Sequence, residues 1–216
     1  MKIITYNIDG LSYNKILNIR TQTICNTLLK EDPDIILLQE VTNKNEPIIK
    51  SNFLDKYNYF CPPNESLTTS YYVAMLIKKE IKVLSQDVYV YPTSTMGRHL
   101  LIVKTEDHTF MTSHLESMDF NKDTRQIQLA YVKSLIKDNV IFGGDTNIEN
   151  NEDPSDNTNL AITWYPTIYY GYNGEPKRYD RFYTKLPIKE TIVIGKDNVY
   201  GYDFTPSDHY GLMITI

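Results

Sequence analysis

Apolar runs of strand length recur along the chain at 3–8, 35–38, 73–77, 100–103, 110–112, 140–142, 192–194 and 212–216, each flanked by polar or turn-forming residues. Runs this short, rich in Ile and Val, predict strands. Two other segments repeat at helical spacing. Over 15–30, Leu17, Ile24 and Leu28 fall on one face, and Pro33 prevents continuation. Asp123 and Gln126 have N-cap and N3 spacing, opening a helix whose inward face is expected to carry Ile127, Tyr131 and Leu135 beside Val132 and Ile136. Cys25 lies beside the first stripe and is expected to be a small buried residue. The stretch 149–159, with Asn151-Glu152-Asp153-Pro154-Ser155 inside it, reads as a surface loop. Many strands, few helices and no repeat or Gly/Ser linker predict one α/β domain over 1–216 with mixed strand directions.

Composition narrows the classes. A chain of 216 residues with 41% hydrophobic content can bury a sizeable core, which excludes disorder. The net charge of -5 means that any nucleic acid must be held by a local patch or a metal ion against the overall sign. Cys25 and Cys61 form neither a disulfide framework nor a CxxC pair, which fits a reducing compartment and argues against structural zinc. Met1 leads directly into strand residues, and no run approaches a membrane span. An intracellular protein without membrane association is expected, and a monomer. The 18 tyrosines against one tryptophan reflect base composition more than function.

Five strands run into polar clusters. Asn7 and Asp9 close the first; Glu40 ends the second; His114 follows 110–113; Asp145 and Asn147 follow Gly143-Gly144; Asp208 and His209 precede the last. In α/β proteins such ends converge on the ligand crevice. Taken singly, each has a plainer reading. Asn7-Ile8-Asp9-Gly10 reads as a turn with Gly10 at positive φ, Glu40 as a solvated strand end, His114 as a satisfied histidine, and Ser207-Asp208-His209 as an Asx-type turn. The double glycine before Asp145 favours close backbone approach.

The set as a whole resembles the endonuclease/exonuclease/phosphatase superfamily. The resemblance is carried by 5–10 (TYNIDG), 38–41 (LQEV), 96–98 (MGR), 112–117 (TSHLES), 144–147 (GDTN), 178–181 (RYDR) and 206–211 (PSDHYG), over nearly the full length. LQE, GDxN and SDH belong to the whole superfamily, whereas NIDG and HLES point to the branch that cleaves tyrosyl-DNA bonds. The resemblance implies a four-layer α-β-β-α sandwich of two mixed sheets flanked by helices. It also implies Mg²⁺-dependent hydrolysis, with Mn²⁺ as a substitute, of the phosphodiester between a protein tyrosine and a DNA 5′ end. A 5′ phosphate would remain, as in repair of topoisomerase adducts. Two departures stand out. Met118-Asp119 follow Ser117 where the family has Thr-Arg, and Ile148-Glu149 follow Asn147 where it has an arginine. No ubiquitin-associated segment precedes Met1, so recruitment through that module is expected to be absent.

Phosphodiester hydrolysis needs an activated water, neutralisation of the non-bridging oxygens and help for the leaving oxygen. Glu40 is the expected Mg²⁺ carboxylate, with Asp9 and Asp208 beside it and Asn7 orienting coordinated water. Zinc is disfavoured because the four histidines are scattered and His99 and His108 lie outside the other motifs. Asp145 is the expected general base, Asn147 would hold water or a phosphate oxygen, and His114 and His209 would donate to the phosphorane oxygens. The resemblance adds that Asp180 orients the His209 ring and that Trp164 walls the first nucleotides, its plainer reading being a half-buried core aromatic. Tyr71, Arg98 and Ser117 are further candidates for substrate contact, Arg98 alternatively for a structural ion pair. Competing readings are an abasic-site endonuclease or other nuclease with the same metal site, and a non-catalytic binding module. Joint retention of Glu40, Asp145, Asn147, Asp208 and His209 argues against the module. Protein-linked RNA is a second substrate that the same chemistry admits.

Overall fold

The computed structural model describes residues 1–12, 14–149, 152–153 and 177–216. Two mixed sheets pack face to face. The first is ordered β10 (Glu190–Ile194), β11 (Gly211–Thr215), β1 (Lys2–Asn7), β2 (Ile35–Thr42), β4 (Tyr71–Lys78), β3 (Tyr57–Phe60). The second is ordered β5 (Val83–Val90), β6 (His99–Thr105), β7 (Thr109–Ser113), β8 (Val140–Asp145), β9 (Asp180–Thr184). Among the described residues, β1/β2 and β7/β8 run parallel and the other pairs antiparallel. Helices α1 (Asn14–Glu31) and α2 (Glu46–Phe53) cover the outer face of the first sheet, and α3 (Lys122–Leu135) covers that of the second. The four expected layers are therefore present, and among the described residues no helix is long and apolar enough to cross a membrane.

Alternation along the strands builds three apolar layers, because successive side chains point to opposite faces. On β1, Ile4 and Tyr6 face α1 and α2, while Ile3 faces the other sheet with Ile35, Leu37, Phe110 and Ile141. All eight expected strands form. The helix over 15–30 also forms, with Leu17, Ile24, Leu28 and Cys25 buried.

Two expectations need correction. On α3 the buried face is Arg125, Gln128, Leu129 and Val132, whereas Ile127 is 59% exposed and Tyr131 and Leu135 only flank the core. The inward polar side chains have partners in the β7–α3 connection, so polarity did not mark the solvent face here. Asn121, not Asp123, occupies the N-cap, with no side-chain capping bond. Of the loop expected over 149–159, the described Glu152 and Asp153 do lie in turn and irregular backbone, and their pairs with Arg125 and Lys133 tie it to α3.

Three features aim the strand ends at one rim. Asn7 pairs with Gln39 across β1/β2, bringing it alongside Glu40. The β2/β4 register shifts between Leu38 and Val41, and Glu40 takes φ 58 at that bulge, which re-aims its side chain. Gly144 permits close approach of β8 to β7: a Cβ there would lie 2.3 Å from the Ser113 carbonyl oxygen. Through that approach His114 bridges to Asp145 beyond the end of β7.

Candidate active site

Asn7, buried at the end of β1, sits at the centre. Its Nδ2 donates to Glu40 Oε1 (3.1 Å) and Asp145 Oδ2 (2.9 Å) and lies 3.4 Å from His209 Nε2. Its Oδ1 accepts the Asp9 N–H, and its main-chain oxygen accepts Ser207 Oγ–H at 2.7 Å. Ser207 Oγ in turn accepts the His209 N–H, so the turn at 207–209 is closed by a serine hydroxyl and not by an Asx carboxylate, and it fastens the last strand to the first. At the other turn it is Asp9, not Gly10, that takes positive φ (47). Gly10 is required by space, since a Cβ would stand 1.9 Å from the Glu40 carbonyl oxygen.

The second sheet contributes the opposite wall. His114 Nε2 is 3.3 Å and His209 Nε2 3.6 Å from Asp145 Oδ2, and His209 Nδ1 is 2.7 Å from Asp180 Oδ2. Burial alone would raise the Asp145 pKa. Interaction with the neighbouring His114 and His209 rings, the Asn7 bond and the Asn147 N–H outweigh it and carry the pKa below the usual carboxylate value. Burial likewise opposes charge on His209, but Asp180 and Asp145 carry its pKa well above the usual histidine range. At His114 burial prevails, aided by the Arg98 charge, and its pKa falls to about 3. At neutral pH one ring is an imidazolium and the other neutral. Such a split assigns donor and acceptor roles by environment.

Glu40, Asp9 and Asp208 gather negative charge on one side. Burial, then the charge of Asp208, pushes the Glu40 carboxyl up to about 7 against the Asn7 bond. Burial and Asp208 push Asp9 up to about 8, opposed by Arg20, whose Nη1 lies 2.6 Å from Asp9 Oδ2. Acidic oxygens that repel one another in this way fit a hard divalent cation, which would relieve the repulsion. Among the described residues, the group whose ligand atoms all lie within 4.8 Å of one another is Asp145, Asp180 and His209, and it too could hold a metal. In the structure, however, His209 Nδ1 is committed to Asp180.

Of the remaining candidates, Tyr71 and Arg98 line a small cleft with His114 and Gly97, the Arg98 guanidinium standing 5.1 Å from the Tyr71 ring centroid. Among the described residues Arg98 has no carboxylate within ion-pair distance, so the structural ion pair considered for it is not observed. Asn147 lies beside Asp145 through its main chain, while its Nδ2 donates to the Leu115 carbonyl. Ser117 Oγ contacts Met96 Sδ at 3.2 Å. Trp164 lies outside the described residues.

Three participants escaped the sequence reading. Arg20 joins Asp9 to the Pro206 carbonyl at 2.8 Å. Its signal was a charge three residues after Leu17 on an inward helical stripe. Gln39, fully buried, donates to Thr5 Oγ1 and Thr112 Oγ1 and so links the two sheets beneath the site. Ser207, fully buried, was visible only as part of a turn.

Residues 4–209 match the Endonuclease/Exonuclease/phosphatase family. The chain belongs to this family. Within the endonuclease/exonuclease/phosphatase family it is similar to tyrosyl-DNA phosphodiesterase 2 of Gallus gallus, 30% identical over 246 residues that cover 98% of this chain and 65% of that protein. The enzyme of the same name from Xenopus tropicalis is 33% identical over 159 residues, covering 69% and 41% respectively. The matched part is thus less than two thirds of these relatives' length. Among solved family structures, D. rerio TDP2 complexed with single strand DNA product is 25% identical, with a TM-score of 0.82 over 99% of this chain and 97% of that one.

Proposed function

We propose that this chain is a Mg²⁺-dependent phosphodiesterase that hydrolyses the bond between a protein tyrosine and a DNA 5′ end, leaving a 5′ phosphate, and so clears protein–DNA adducts. The observation that carries this reading is the Asn7-centred constellation: one carboxamide nitrogen within 3.4 Å of Glu40, Asp145 and His209, the last held by Asp180. The naming of relatives at 30–33% identity as tyrosyl-DNA phosphodiesterases supports the substrate class.

Each residue then has a task. Asp145, ionised and fixed by Asn7 and the Asn147 N–H, accepts the proton of the attacking water. His209, protonated and held by Asp180, donates to a non-bridging phosphoryl oxygen as charge builds there, and neutral His114 offers a second ring N–H. Glu40, with Asp9 and Asp208, would hold Mg²⁺, which when bound supplies positive charge to the phosphoryl oxygens. Arg98 and Tyr71 contact the substrate in the cleft beside His114. The P–O bond to tyrosine breaks as the water oxygen bonds to phosphorus, and the phenolate leaves with a pKa of about 10, needing little acid assistance.

The test is release of a 5′-phosphate end from a single-stranded oligonucleotide carrying a 5′ phosphotyrosine, in Mg²⁺, against a 3′-tyrosyl oligonucleotide and an abasic duplex. Preferential cleavage of the 5′-tyrosyl strand is expected. Equal or faster cutting of the abasic duplex would overturn the reading in favour of an abasic endonuclease. A 5′-tyrosyl RNA strand decides whether protein-linked RNA is also a substrate.

A further inference from the structure

Glu116, two residues beyond His114, is fully buried and belongs to none of the groups assigned above. Its carboxylate gathers donors from a separate loop. Oε1 accepts Thr95 N–H and Thr95 Oγ1–H, both at 2.7 Å, and Met96 N–H at 2.9 Å. Oε2 accepts Ser94 Oγ–H at 2.8 Å and Gln128 Nε2–H at 3.1 Å. Burial alone would raise its pKa, but these bonds carry it below the usual range. With donors on every side, only an acceptor-only side chain fits, and an amide would turn its N–H groups toward other donors. The same segment is braced from α3, where Arg125 Nη1 donates to the Glu116 and Met118 carbonyls.

Ser94 Oγ does not stop at Glu116: it also accepts the Arg98 main-chain N–H at 2.8 Å. One hydroxyl therefore connects the buried carboxylate to the residue that stands over Tyr71. Arg98 is itself buried, and among the described residues no carboxylate pairs with it directly. The guanidinium lines the cleft 5.1 Å from the Tyr71 ring centroid, with Nη2 3.5 Å from Met96 Sδ in the same 94–98 turn.

We infer that Glu116 is a positioning residue for Arg98, acting through Ser94 Oγ to fix the 94–98 turn so that the guanidinium stands over Tyr71 on the His114 side of the site. This rests on the reading that Arg98 and Tyr71 contact the tyrosyl substrate. Two measurements separate it from that reading. In steady-state hydrolysis of the 5′-phosphotyrosyl oligonucleotide in Mg²⁺, Ser94→Ala and Glu116→Gln are expected to raise KM about fivefold or more, with kcat within about twofold. Arg98→Ala should raise KM further, and Ser94→Ala placed in the Arg98→Ala background should add nothing, because both remove the same contact. Should Glu116→Gln fail to fold, Ser94→Ala, which deletes one hydroxyl, carries the test. Independent losses in the double variant, or a fall in kcat at unchanged KM, would overturn the inference. The second measurement is amide hydrogen exchange, which needs no turnover. The Arg98 amide should exchange about tenfold faster in Ser94→Ala while β6 is unaffected, and unchanged exchange there refutes the role of Glu116 even if the wild-type protein cleaves no tyrosyl bond.

Discussion

His114 and His209 are both buried and both within 3.6 Å of the Asp145 carboxylate, yet their company sets them apart. Asp180 keeps one ring charged, and Arg98 helps keep the other neutral. Replacing His209 by Ala or Asp145 by Asn should lower kcat by at least about 10²-fold with the fold intact, since both act chiefly in the transition state. Asp180→Asn should cost less if it only orients the ring, and a larger loss in kcat would make Asp180 a direct participant. Glu40 supports a prediction that needs no substrate. Its carboxyl is raised from 4.5 to about 7, so the metal-free fold holds a proton more tightly than the unfolded chain. The stability from that proton is present in full below pH 4.5 and is lost as pH rises through about 7. Glu40→Gln, which never ionises, should therefore raise the Tm of the metal-free protein by about 2 to 4 °C at about pH 8 and change it little in acid. Mg²⁺ should raise the Tm of the wild type and not that of the variant, as thermal melts with and without chelator would show.

Among the elements, α3 separates what the sequence pattern reveals from what it conceals. Hydrophobic spacing points to a face through Ile127, but the helix is rotated so that Arg125 and Gln128 face inward to serve Glu116 and Glu152. Leu129→Ala should cost about 2 to 4 kcal/mol in denaturant unfolding, and Ile127→Ala no more than about 0.5. Similar losses at both positions would mean that the helix packs in the register its hydrophobic spacing suggests. Where a strand is buried on both faces, as 35–38 and 140–142 are, its apolar run was legible. Strands β3, β5 and β9 were not. The β5 run VLSQDVYV lies at the sheet edge and mixes exposed with half-buried positions, and β9 carries buried Asp180 and Arg181, so neither offers a clean apolar signature. The site was legible residue by residue through its motifs, because strand ends concentrate polar side chains. Its supports were not: Arg20, Gln39 and Glu116 act across long sequence separations that no local pattern encodes.

For the molecule as a whole, a net charge of -5 leaves little general attraction for a phosphate backbone. Affinity for a single-stranded 5′ end should therefore depend weakly on salt, with log K falling against log[salt] at a slope no steeper than about -2, as titrations between low and moderate ionic strength would measure. A steeper slope would reveal a basic track beyond Arg98. The pairing of β1 with β11 bears on how such a protein comes into being. Lys2 lies opposite Thr215, and Ser207 grips the carbonyl of Asn7 across 200 positions of chain. During synthesis β1 is made some 200 residues before β11 and waits with one edge bare until β11 follows, and Asp180 and His209 likewise come long after Asn7 and Glu40. Contacts this distant in sequence close late. The reactive centre therefore cannot close until residue 209 has been made, and a chain interrupted before residue 207 holds Asn7, Glu40 and Asp145 without the imidazolium beside them.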